Sequence, residues 1–121
     1  MVRFRARSAR TPQELQLALM RHASFNELDG NRVVRDLERR RELWAAALMN
    51  RDDLVSLRDL PDGEWNVDTL YVLSSGEDDA ALEQLARAWN ADEVSWLGEE
   101  DAARLLGESP PEHRVLVVWW D

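Results

Sequence analysis

Two short runs of this sequence have the form from which anion and metal sites are built. SSGEDD (residues 74–79) and GEED (residues 98–101) each follow a stretch that reads as a strand and open one that reads as a helix. Free amide donors and the helix dipole meet at a helix N-terminus, so that position attracts negative charge. Glu77, Asp78, Asp79, Glu99, Glu100 and Asp101 already supply it. A phosphate meets them as like charges, and neither run carries the lysine or the repeated glycines of a nucleotide loop. No nucleotide is expected at either, and Ser75 is expected to cap the first helix. If the two preceding strands run in one direction, both loops leave the same edge of a sheet and the six carboxylates gather there. A last strand running the same way adds Asp121. This acidic edge has three readings besides helix complementarity: a magnesium or calcium site built from oxygen ligands, a docking surface for a basic partner, or a mimic of nucleic-acid phosphates.

Other chemistry is sparse. The histidines are His22 and His113, with no histidine–glutamate zinc spacing and no glycine-flanked serine nucleophile. There is no cysteine, which excludes disulfides and thiolate chemistry. No catalytic residue, metal ligand or cofactor is assigned. All 15 basic residues are arginine against 24 acids, a net charge of −9. Residues 1–60 hold 12 arginines and 9 acids, a net of +3, and residues 61–121 hold 3 and 15, a net of −12. Arg3, Arg5 and Arg7 form a candidate basic face, and Arg39–Arg41 a basic run. The overall acidity opposes direct nucleic-acid binding. No apolar stretch approaches the roughly 20 residues that span a bilayer, so no membrane association is expected and a cytoplasmic location fits.

The elements that must position these residues follow from periodicity. VRFRARSA (residues 2–9) alternates apolar and basic positions, which predicts a strand with one buried side. Thr11, Pro12 and Glu14 mark a helix start by capping box and by proline at the first turn. Its inner stripe is expected to be Leu15, Ala18, Leu19 and His22. Asp29-Gly30-Asn31 reads as a turn. Val33, Leu37, Trp44 and Leu48 predict one helix over residues 32–49, with Asp36/Arg40 and Glu38/Arg41 as surface pairs. Residues 53–60, the turn at Pro61-Asp62-Gly63 and residues 67–75 read as strand, turn, strand. A helix over 77–90 turns Leu82, Leu85, Ala86 and Trp89 inward. A strand over 92–98, a helix over 99–107 ending at glycine, and a last strand from His113 follow.

In the last strand, RVLVVWWD, Val115, Val117 and Trp119 share one face and Leu116, Val118 and Trp120 the other. Both faces are apolar, which predicts an interior strand with its tryptophans as anchors. The six tryptophans (Trp44, Trp65, Trp89, Trp96, Trp119, Trp120) are expected to pack rather than to stack on bases. The alternation of strands and helices in the second half predicts crossovers of right-handed sense. The expected fold is a single α+β domain over residues 1–121, with a mixed sheet of about five strands and helices mainly on one face.

DGEW (residues 62–65), LYVLS (70–74) and LARAWNADEVSWL (85–97) together resemble an uncharacterised family of small bacterial domains over roughly residues 31–97. The resemblance implies an N-terminal strand, a charged helix, a glycine–tryptophan hairpin and a helix–strand unit. Where that family has Ala-Trp-Asn-Pro in its first strand, this chain has FRARSA, and its own Ala88-Trp89-Asn90 sits at a helix end. No function comes with the family.

The functional expectation is a small acidic, non-catalytic interaction or regulatory module that binds another protein. Bacterial or phage inhibitors and immunity proteins provide the analogy. A face of the last strand is a candidate for homo-oligomer contact. The alternative is a metal-dependent enzyme of phosphate esters using the acidic edge.

Overall fold

In a computed structural model the chain is described at residues 10–51, 54, 55 and 57–121. The expected strand over residues 2–9, with Arg3, Arg5 and Arg7, lies outside the described residues. The elements are α1 (Pro12–Met20), β1 (Ser24–Phe25), β2 (Leu28–Asp29), α2 (Gly30–Arg39), β3 (Trp44–Asn50), β4 (Thr69–Ser74), α3 (Asp79–Arg87), β5 (Glu93–Trp96), α4 (Glu99–Leu106) and β6 (Val115–Trp119). β1 and β2 form a two-stranded ribbon; the other four make a sheet in the order β3-β4-β6-β5. This is a single α+β domain. Every neighbouring pair is antiparallel rather than mixed as expected, so strands one apart run parallel: β4 with β5 across β6, and β3 with β6 across β4.

One sheet face carries the core. Register places Met49, Leu70 and Val118 in one row and Ala47, Val72 and Leu116 in the next. Against them pack Val33, Val34 and Leu37 of α2, Leu82 and Ala86 of α3, and Trp44, Trp89 and Trp120. The buried indoles are also hydrogen-bonded, as buried polar groups must be. Trp44 donates to the Leu37 carbonyl (2.8 Å), Trp89 to Asp36 Oδ2 (2.9 Å) and Trp120 to the Trp89 carbonyl (3.1 Å). Trp120 is fully buried, and its amide donates to the Asp68 carbonyl (3.0 Å). The next amide, of Asp121, reaches Asp92 Oδ2 (2.7 Å).

The region of residues 32–49 is not one helix. α2 stops at Arg39, a single 3-10 turn follows (Arg41–Leu43), and residues 44–50 are β3. A bulge between Trp44 and Ala46 puts the buried positions of β3 at 44, 47 and 49. That spacing imitates a helical stripe, while Leu48, expected inside, is 49% exposed. The expected surface pairs are redistributed: Glu38 pairs with Arg21, Arg40 with Glu42, and Asp36 with Arg32 (3.9 Å) and Arg35 (3.9 Å). Asp29 and Gly30 are not a free turn either. Asp29 caps α2 by accepting from the Arg32 amide. Gly30 lies so close to the Met20 carbonyl that a Cβ there would stand 1.9 Å from it.

The expected strand over 53–60 is likewise absent from its described part, which is bend and turn. β4 has two edges, and β3 and β6 already occupy them. The loop closes on local bonds instead, among them Gly63 N–H to the Leu60 carbonyl (3.0 Å), with Gly63 at φ +77°.

The inner stripe of α1 differs from the expected one. Leu15 and Leu19 are exposed, whereas Leu17 and Met20 reach the core. Between them Gln13 and Gln16 face β3. Gln13 Nε2 donates to the Ala47 carbonyl (2.8 Å) and Gln13 Oε1 accepts from the Ala47 amide (2.8 Å); Gln16 Oε1 accepts from the Met49 amide (3.0 Å). What α1 covers is the unpaired edge of a strand, which demands polar partners rather than apolar ones.

Two outcomes follow for stability. Trp120→Ala should cost about 3–5 kcal/mol in urea unfolding, whereas Leu105→Ala, at a 56% exposed position, should stay within about 0.5 kcal/mol of the native chain; similar losses for both would refute this account of the core. Gln13→Glu should cost about 1–3 kcal/mol at neutral pH, because a carboxylate cannot donate to the Ala47 carbonyl. Opposing an acceptor raises that carboxyl's pKa in the folded variant, so the deficit should shrink as pH falls and the acid regains a donor. A deficit independent of pH would show that the paired bonds are not what holds α1.

Candidate docking surface

The two runs of acids do leave the same end of the sheet, because β4 and β5 are both antiparallel to β6. They do not converge. α3 lies on the core face, while α4 borders the opposite face, where Leu105 and Leu106 meet Leu73 and Val115. Between the two helix starts Arg114 enters β6, with Nη1 3.5 Å from Asp79 Oδ2 and its guanidinium 4.2 Å from the Trp96 ring centre. Asp79 also accepts from Ser74 Oγ. Asp78, not Ser75, caps α3, accepting from the Ala81 amide (3.0 Å). Asp101 pairs with Arg104, and Glu77, Glu99 and Glu100 are exposed. Asp121 stands at the other end of the sheet, since β6 runs opposite to β4 and β5. Among the described residues no three histidine, aspartate or glutamate side chains are placed to share a metal ion.

The loop of residues 74–79 spends its donors internally. The Gly76 amide bonds Ser74 Oγ (2.9 Å), the Glu77 amide bonds Ser75 Oγ (3.3 Å), and Ser75 Oγ donates to the Glu42 carbonyl (2.6 Å). Beside it, Glu83 accepts from Arg87 Nε (3.0 Å) and from the Trp96 indole (2.7 Å). The Arg87 bond first, then the Trp96 bond and the nearby Arg114 charge, hold the Glu83 carboxyl below the ordinary carboxylate range.

The feature that stands out is on the other sheet face. Antiparallel sheets with one face on the core and one in water normally alternate apolar and polar residues. Here Ala46 and Leu48 of β3, Tyr71 and Leu73 of β4, and Val117 and Trp119 of β6 share the outer face. Leu48 is exposed; Tyr71, Leu73, Val117 and Trp119 are half-buried. A groove of about 460 Å³ lies there, with Ala46, Leu48, Tyr71, Leu73 and Val115 against Pro12, Gln13 and Gln16 of α1 on one side and Leu105 and Leu106 of α4 on the other. A second hollow of about 380 Å³ continues the same face across β6 to β5, bounded by Thr69, Val117, Trp119, Ser95, Leu97 and Glu93. The periodicity of β6 pointed to this face through Val117 and Trp119. The contribution of β3 was hidden by reading that strand as helix.

Charge is sorted around the sheet. The α2 layer, behind the core, carries Arg32, Arg35, Arg39, Arg40 and Arg41 against Asp36, Glu38 and Glu42. The helices and strand that border the outer face carry Glu14, Glu93, Glu99, Glu100 and Asp101, with Arg104 as the one arginine within α1, β5 and α4.

Compared with protein-family models, with curated proteins and with solved structures, the chain matches none of them. No described helix is long and apolar enough to cross a membrane.

Glu83 provides a test of the polar lattice at this end. Its lowered pKa means that its stabilisation is complete above the pKa of an unfolded glutamate and is lost as pH falls through the folded value. Glu83→Gln should therefore lower the melting temperature at neutral pH, and the gap should close on acidification into the carboxylate range. A gap that persists in acid would assign the effect to packing rather than to the charge.

Proposed function

We propose that this protein is a non-catalytic interaction module that binds another protein through the outer face of its sheet. The observation that supports the reading is the groove itself: an apolar, uncharged floor from Ala46 to Val115 on a chain of net charge −9. Contiguous apolar surface with a polar rim is the anatomy of a recognition site. Keeping such a surface wet raises the risk of aggregation, so its place on a sheet that could carry threonine or lysine there favours a binding role. The acids first read as a possible metal edge take the part of rim. An inhibitor or immunity-type protein, acting by occupying a partner's surface, fits these properties.

A photo-crosslinking residue at position 105, beside the groove, should form a discrete adduct in the native host. The same residue at Arg39, on the α2 layer, should not. Leu48→Asp should abolish the groove adduct while leaving the melting temperature within a few degrees, because Leu48 is half exposed. Equal labelling from both positions, or an adduct indifferent to Leu48→Asp, would overturn the reading.

A further inference from the structure

We propose that the segment this groove takes is an amphipathic helix of a basic protein, with arginine or lysine flanking its apolar stripe; this rests on the docking reading above. The backbone of the floor decides the occupant's secondary structure. The described groove floor comes from β3, β4 and β6; β4 and β6 are paired on both sides, and on the outer edge of β3 Gln13 and Gln16 take up the Ala47 amide and carbonyl and the Met49 amide. An extended peptide laid across this face finds no ladder to join, and its own amides and carbonyls lose water without gaining partners. A helix satisfies its backbone internally and offers side chains alone, which is all this floor can receive. The space between α1 and α4 matches that mode, in which an apolar stripe at helical spacing seats in a groove.

Charge decides the flanks. α4 carries Leu105 and Leu106 on the groove and Glu99, Glu100 and Asp101 in its first turn. Those acids are roughly 6–9 Å away along the helix axis at 1.5 Å per residue. α1 lines the opposite wall and carries Glu14, and Glu93 borders the adjoining hollow. Asp101 is paired with Arg104, but Glu14, Glu93, Glu99 and Glu100 have no such partner within their own elements and outnumber Arg10 and Arg104 beside the described groove; an acidic helix is opposed there, a basic one is steered to it, and an acidic net charge extends that steering beyond contact distance. A second copy of the chain, itself at −9, is a poorer occupant on the same ground.

The test uses the full chain and three synthetic helical peptides of about 18 residues, or five turns. One has a leucine stripe among lysines, one a leucine stripe among glutamates, and one serines in place of leucine among lysines. The leucine–lysine peptide should bind roughly ten-fold or more tightly than either control at moderate salt. Leu48→Ser with Leu105→Ser should weaken it at all salt concentrations. Glu99→Gln with Glu100→Gln should weaken it about ten-fold at low salt, mainly by slowing association, and little at high salt. Circular dichroism and melting of each variant show whether it is folded. If the leucine–glutamate peptide binds as well as the leucine–lysine one, docking in the groove stands and the basic partner is wrong. If the serine–lysine peptide binds as well, or if no peptide binds, the groove does not take a helix and the proposal falls. If the chain alone sediments as a dimer that Leu48→Ser with Leu105→Ser dissolves, the occupant is a second copy and the proposal is again overturned.

Discussion

Strand β6 joins the two halves of the sheet. It pairs with β4 on one side and with β5 on the other, and neither of those strands touches the other directly. Without β6 the sheet is a two-stranded hairpin of β3 and β4 with β5 detached, and isolated hairpins are marginal in water. The same segment sends Leu116, Val118 and Trp120 into the core. Trp120 then bonds to the loop before β4 and to the end of α3 through its amide and its indole. One stretch of seven residues thus fixes sheet order, core filling and the position of α3 together. Because its partners lie 20 to 50 residues away in sequence, these contacts are non-local and costly in loop closure.

A strand apolar on both faces also leaves a surplus. One face is spent on the core. Among the described residues the other is not covered by a full helical layer, because α2 and α3 both lie on the core side and α1 is committed to the edge of β3. α4 borders the outer face with Leu105 and Leu106. Among the described residues that face therefore keeps an apolar floor. Among the described elements, the α2 layer behind the core carries five arginines against three acids, and α1, β5 and α4 beside the open face carry five acids against one arginine.

Edge control explains the amino acids of α1. Glutamine suits a helix because its straight chain loses little freedom there, and its amide can copy the donor and acceptor of a neighbouring strand. Gln13 does so against Ala47. Arg41 serves the start of the same strand, donating to the Trp44 carbonyl while stacking on the Trp44 ring at 3.8 Å. These bonds take up the outward main-chain groups of Ala47 and the Met49 amide, so a further strand cannot pair with β3 there.

Much of this was legible in the sequence alone. The capping box of α1, the strand at 69–74, the inward stripe of α3, the α4 stop at Gly107 and the interior character of β6 are local patterns, and local patterns survive because period and capping chemistry act within one element. The acid-rich starts of α3 and α4 were visible for the same reason. What failed needed partners distant in sequence. β3 looked helical because Trp44 and Leu48 continue the spacing of Val33 and Leu37, and only pairing with β4, which turns Leu48 to the outer face, selects a strand there. α1 looked apolar-faced because nothing nearby says that its neighbour is a strand edge asking for hydrogen bonds. The six acids were expected to gather, and strand direction alone supported that. The sides taken by α3 and α4, and Arg114 lying between them, decided otherwise. Composition and periodicity determined that an apolar, double-faced strand exists and that acids outnumber bases. Tertiary structure decided which face stays open and what charge surrounds it, because faces are assigned by packing between elements and not within them.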